Sequence, residues 1–313
     1  MIPKRIGNYE IPGLTLGTVS LGLNYGVFNG QEQPDEGIAL SLLHTALENG
    51  ITCFDTAREY GTAETLLGDL LSEVFPRQAA VVTKFKITKE ALGDLSLAKE
   101  QARNSVLESR AQLNLPMLPF CLFHMVSDYD RDLVAEMIPQ LLASLKQENL
   151  IGFGGISVDN LPELQWLAFL PEVQVLQIPI NIFDQRLPGD DPFWCRLEKE
   201  RKLVFARSVF LKGLLLKHPA TLTGNLRPAA FYLDQLAIYA KRCGLSVAQF
   251  CFSYVRDFRT VTSIVAGADN KQQLLENIAL LNAPRIPDEI LDEAKIFFKN
   301  VPEHILIPRT WKL

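Results

Sequence analysis

The sequence is short of three things: cysteine, basic tracts and long apolar runs. Each scarcity removes a class of protein. Five cysteines (Cys53, Cys121, Cys195, Cys243 and Cys251) form no C-x-x-C pair and are odd in number. That pattern is expected of reduced thiols in a cytoplasmic protein, not of a disulfide framework. No apolar run approaches the ~18 residues of a membrane span, and Met1 to Glu10 carries charges where a signal peptide needs apolar residues. With 31 basic and 36 acidic side chains the net charge is −5, and no basic tract offers itself to a nucleic acid. His44, His218 and His304 share no ligand spacing with acidic or thiol partners, so no metal site is expected. A G-x-G-x-x-G loop is also missing after the first apolar run. The nearest segment, Gly152-Phe153-Gly154-Gly155, lies inside a predicted strand, which counts against a doubly wound open sheet.

What is present is alternation. Short apolar runs at Leu14–Gly22, Ile51–Thr56, Ala79–Phe85, Pro119–His124, Leu150–Ser157, Val173–Ile178, Leu203–Phe210 and Thr262–Gly267 read as strands. Helical patterns such as Asp35–Asn49, Ser96–Leu113, Val134–Gln147, Ser246–Asp257 and Lys271–Leu281 fall between them. Ser246 with Gln249 predicts a capping box, and Gly50 a helix stop. Near-continuously apolar strands alternating with helices imply a parallel sheet covered by helices. Eight such units predict an α/β fold, the (β/α)8 TIM barrel, as a single domain over residues 1–313. It would be preceded by a segment at Arg5–Pro12 and followed by a tail at Val301–Leu313.

In such a barrel, functional groups gather where the strands end. Asp55, Lys84 and His124 close three successive predicted strands, and Tyr60 lies on the loop just past the first of them. An ammonium beside a phenol favours the phenolate, an aspartate keeps the ammonium charged, and a histidine can bond the same oxygen. Taken singly, each residue has a plain reading: a turn-forming Asp, a half-buried Tyr, a solvated Lys, a structural His. Together they suit proton transfer to or from an oxygen. They include neither a nucleophile nor a metal cage, so a hydride from a nicotinamide would complete the chemistry.

Phe54-Asp55-Thr56-Ala57-x-x-Tyr60-Gly61-x-x-Glu64, followed by Lys84 and His124, resembles the aldo-keto reductase family over nearly the whole chain. The resemblance implies a (β/α)8 barrel and an NAD(P)-dependent oxidoreductase. Tyr60 would be the acid–base, Lys84 would tune it, Asp55 would hold Lys84, and His124 would orient the carbonyl. It also implies cofactor contacts. Gly17 and Thr18 match the first strand, Ser157 the fifth and Gln177 the sixth, the last two facing the nicotinamide carboxamide. Arg207, Ser208 and Gly213 match the seventh-strand loop. Gly267, Asp269, Gln273, Glu276 and Asn277 match the dinucleotide signature.

Two positions depart from the family pattern. Val158 stands where an Asn often holds the carboxamide, and Arg207 where a Tyr often stacks. A guanidinium against an oxidised nicotinamide is costly, so its charge is either paired elsewhere or the reduced cofactor is preferred. Asp269 leans toward a free 2′-hydroxyl, while Lys271 and the helix start after Asn270 suit a phosphate. NADP is the first choice, with NAD as the second.

A sensor that keeps the cofactor without turnover, and a barrel hydrolase or lyase without nicotinamide, are the competing readings. The expected partner is a small carbonyl or alcohol, of a sugar or sugar-derived class by resemblance to a carbohydrate-related bacterial branch. No nucleic acid or membrane partner is expected, and the protein should be a monomer or weak oligomer. Asn24–Glu32, Pro302–Trp311 and the aromatic residues Phe183, Phe193 and Trp194 are candidate pocket residues.

Overall fold

A computed structural model of the chain describes residues 1–25, 32–73, 79–126, 128–189 and 191–312. An antiparallel hairpin, β1 (Lys4–Ile6) and β2 (Tyr9–Ile11), comes first. Then follow β3 (Leu14–Gly17), β4 (Cys53–Asp55), β5 (Ala80–Phe85), β6 (Leu118–His124), β7 (Ile151–Ser157), β8 (Val175–Pro179), β9 (Leu203–Arg207) and β10 (Ser263–Gly267). These eight pair in parallel, each with the next, and β10 pairs back onto β3 to close the barrel. The fold is the expected (β/α)8 barrel.

Helix boundaries follow their chemistry. The helix Glu36–Glu48 starts at Asp35, whose carboxylate accepts from the Ile38 N–H at 2.8 Å, and stops before Gly50, where φ is 80°. Ser246 and Gln249 make both bonds of the predicted capping box before the helix Val247–Arg256. Among the described residues no helix is long and apolar enough to cross a membrane.

Two strands end earlier than their apolar runs predict. β3 stops at Gly17 because the Thr18 N–H and hydroxyl both donate to the Asp55 carbonyl, at 2.9 and 3.0 Å, after which Val19–Gly22 form one helical turn. β9 stops at Arg207 because Ser208 turns left-handed, with φ 61°.

Residue parity along the strands decides what faces the lumen. Cys53, Ala80, Val82, Phe120, Leu122, Val175, Leu203 and Phe205 form an inner cluster capped by Ile11, with Ile6 and Tyr9 of the hairpin packed on it. Their neighbours in sequence, including Phe54, Val81, Cys121, Phe123, Leu176 and Val204, join the outer core beneath the helices. Tyr9 packs edge-on against Phe120 at 5.5 Å, so the hairpin closes the barrel's N-terminal end. Continuing the same parity by two residues brings Asp55, Lys84, His124, Gln177 and Arg207 inward at the opposite end.

One expectation is overturned here. Phe183, Phe193 and Trp194 are buried in the outer core, Phe183 against Phe298 and Trp194 against Phe258, so they are packing residues and do not line a pocket. Of the segment Asn24–Glu32, residues 26–31 lie outside the described residues.

Candidate active site

Lys84 carries the strongest physical constraint at the site. Its side chain is 0% exposed, and a buried ammonium is tolerated only when paired and hydrogen-bonded. Nζ donates to Asp55 Oδ1 at 2.7 Å and to the Thr56 carbonyl at 2.8 Å. Gln177 Nε2 donates to the same Asp55 oxygen at 2.5 Å and takes the Ser157 hydroxyl on its own Oε1 at 3.2 Å. Three strand ends are thereby tied to one carboxylate. Burial pulls Lys84 downward, but the Asp55 carboxylate, by charge and by hydrogen bond, holds the ammonium above its ordinary range.

Tyr60 is set by a tight turn. Its N–H donates to the Ala57 carbonyl at 2.9 Å, and its own carbonyl accepts from Ala63 at 3.0 Å. Gly61, with φ 56°, and Gly22 pack against each other. A Cβ on Gly22 would stand 1.8 Å from the Tyr60 carbonyl oxygen. The half-buried ring lies 5.1 Å from Lys84 Nζ. The ammonium pulls the phenol down as the sequence argument requires, but burial is the larger effect and the net direction is up. The downward pull of the ammonium is as expected, and burial opposes it.

His124 ends β6 with its side chain 17% exposed. Burial and the neighbouring Lys84 and Lys86 keep it below the usual histidine range, although Glu59 raises it. Glu59 Oε2 lies 3.5 Å from His124 Nδ1 and 3.8 Å from Lys86 Nζ. Sequence reasoning missed Glu59 and Lys86. The available signal was a carboxylate next to the motif tyrosine and a second lysine two positions beyond Lys84.

The remaining predicted residues divide into two groups. Arg207 faces the site, with its guanidinium on the Val158 carbonyl at 2.7 Å, Asp159 Oδ1 at 2.5 Å and the Ser208 hydroxyl at 3.2 Å. Its charge is paired within the protein. The loop beyond it is left-handed at Ser208, Leu211, Lys212 and Gly213, and Gly213 (φ 87°) has open space around its Cα. Gly17 lies between Asp55 and Gly267 in the strand register.

At the end of β10, Gln273 Oε1 accepts from the Asp269 N–H at 2.9 Å, and Asn277 Nδ2 donates to the Gly267 carbonyl at 3.0 Å. Glu276 takes Gln272 Nε2 at 2.9 Å on the exposed helix face. Gln273 and Asn277 brace the loop, whereas the Glu276 contact stays within the helix. Asp269 and Asn270 line a cavity of about 130 Å³ together with Ser20, Tyr25, Glu32 and Pro34. The donor set fits a nicotinamide dinucleotide: a hydroxyl and an amide (Ser157 and Gln177) at the strand ends, and a left-handed loop and a helix start on either side.

The model of the Aldo/keto reductase family matches residues 13–297. The uncharacterized oxidoreductase YqkF of Bacillus subtilis is 25% identical over 92% of this chain and 94% of its own length. The NADH-specific methylglyoxal reductase of Escherichia coli is 24% identical over 90% of this chain and 93% of its own. The solved glycerol dehydrogenase AKR11B4 of Gluconobacter oxydans shares the fold with a TM-score of 0.73 and 21% identity, covering 96% of this chain and 97% of that one.

Proposed function

The chain belongs to the aldo/keto reductase family, NAD(P)H-dependent oxidoreductases, and from that premise we propose that it reduces a small carbonyl with Tyr60 as the general acid. Ser157 and Gln177 would hold the nicotinamide carboxamide, and the reduced cofactor would supply the hydride that the carbonyl carbon needs. As the C=O bond opens, its oxygen takes the proton of the Tyr60 hydroxyl, and the phenolate left behind is stabilised by the Lys84 ammonium beneath the ring. Asp55 keeps that ammonium charged and fixed, and His124 orients the carbonyl oxygen. The observation that carries the reading is the fully buried Asp55–Lys84 pair set directly under Tyr60.

Gly17, Thr18, Arg207, Ser208, Gly213, Gly267, Asp269, Gln273, Glu276 and Asn277 would form or brace the dinucleotide cradle. NADP is our first choice and NAD the second, the latter supported by Asp269 and by a relative named as NADH-specific. The substrate class is a sugar or a small aldehyde or ketone. The whole chain would act as one domain, in the cytoplasm, where its five free thiols stay reduced.

Tyr60→Phe tests the reading. It should abolish carbonyl reduction while NADPH binding, followed by fluorescence quenching, stays within about twofold, since a hydroxyl acting in the transition state contributes little to ground-state binding. Retained turnover would refute the mechanism. A wild-type protein that binds NADPH but reduces no carbonyl in a broad panel would instead be a sensor.

A further inference from the structure

We propose that Glu59, the residue immediately before Tyr60, is a positioning residue that holds the His124 ring at Nδ1 and sets its charge; the proposal rests on the reduction reading above. His124 Nδ1 is buried and makes no hydrogen bond, which is unusual for an enclosed ring nitrogen. The carboxylate facing it is Glu59, at 3.5 Å, a distance long for a hydrogen bond and short enough for an ion pair. Such contacts tighten when an active site fills. Because Glu59 is joined to Tyr60 by one peptide bond, the same turn that sets the phenol sets this carboxylate.

The chemistry follows from the two ring nitrogens. A carboxylate at Nδ1 keeps a proton there, so Nε2 of the neutral ring is an acceptor and becomes a donor only in the imidazolium. Reduction needs a donor toward the carbonyl oxygen, and oxidation of an alcohol needs an acceptor. The charged groups around the ring are Glu59 from the loop after β4, Lys84 of β5 and Lys86 just beyond it, while the β7 neighbour in register is the neutral Ser157. Lys84 is bound to Asp55, and Glu59 is the anion facing both Lys86 and the ring. Without Glu59 the ring faces two ammoniums, and its protonated form is disfavoured.

The test follows the ring directly in the free protein. Nitrogen and carbon NMR of labelled histidine, assigned with His124→Asn, reads tautomer and titration in wild type, Glu59→Gln and Lys86→Met, with Glu73→Gln (the partner of His44) as control. We expect the Nδ1–H tautomer in wild type. The His124 midpoint should fall in Glu59→Gln, rise in Lys86→Met and stay in Glu73→Gln. In parallel, kcat/KM of Glu59→Gln for carbonyl reduction should fall roughly three- to tenfold at and above neutral pH and converge on wild type only in acid, below the variant's own His124 midpoint, with NADPH affinity unchanged. An unchanged midpoint and tautomer in Glu59→Gln would overturn the proposal, as would a shifted midpoint with an unmoved pH profile. If the wild type reduces no carbonyl, the functional reading fails by itself, and the NMR arm still decides whether Glu59 governs the ring.

Discussion

Asp55→Asn is the perturbation with the clearest physical consequence. It removes the charge partner of an ammonium whose side chain is 0% exposed and leaves it only neutral acceptors, the new amide oxygen and the Thr56 carbonyl at 2.8 Å. Breaking one half of a buried ion pair costs about 3–5 kcal/mol, because the surviving charge stays out of water without compensation. At about 2 °C per kcal/mol, the slope for a long domain, the melting temperature should fall by roughly 6–10 °C. The pH dependence sharpens the test. In the wild type Lys84 sits above its ordinary value of 10.5, so its contribution is fully present below about that pH and is lost as the pH rises through the raised folded value. In the variant, burial is no longer outweighed and the folded value drops below the unfolded one. Its penalty is therefore full at neutral pH and shrinks as the pH climbs toward about 10.5. Urea melts at about pH 7 and about pH 10 measure both, and the double change Asp55→Leu with Lys84→Met should restore most of the stability without activity. A loss under about 1 kcal/mol, or a penalty equal at the two pH values, would refute the reasoning.

Two further perturbations reach the site from elsewhere. Gly22→Ala places a Cβ 1.8 Å from the Tyr60 carbonyl and 2.6 Å from the Ala63 nitrogen, so it should cost about 1–3 kcal/mol or more and lower turnover; Gly93→Ala, which meets nothing within 4 Å, is the neutral control in the same melts and assays. Asp269→Asn removes a negative charge from the predicted 2′-phosphate position and should shift the NADPH-to-NADH affinity ratio roughly tenfold toward NADPH in paired titrations; an unmoved ratio would clear Asp269 of any part in cofactor choice.

The barrel was legible because its strands announce themselves as apolar runs, and Asp55, Lys84 and His124 because each ends one. Residue parity then forces them inward, an outcome implicit in Cys53 and Asp55, or Val82 and Lys84, being two apart. What escaped had no periodicity to carry it. Glu59 and Lys86 sit on or beside loops where a charge is the ordinary occupant, and only the fold brings them to His124. The early end of β9 depends on a serine in a left-handed conformation, which no glycine advertises. Phe193 and Trp194 look like pocket residues until the helix Pro192–Lys199 turns them onto Phe169 and Phe258. The direction of the Tyr60 shift depended on weighing burial against the pull of Lys84 and Arg207, and burial is a property of the assembled molecule.

Because Tyr9 and Ile11 cap the packed apolar cluster that fills the lumen, the barrel is closed at its N-terminal end, and the site beside Tyr60 opens on the rim where the strands end. A cofactor and a substrate meeting beside Tyr60 would both have to enter from that rim. A short antiparallel hairpin thus finishes the plug at the end opposite the site while contributing no residue to the site itself.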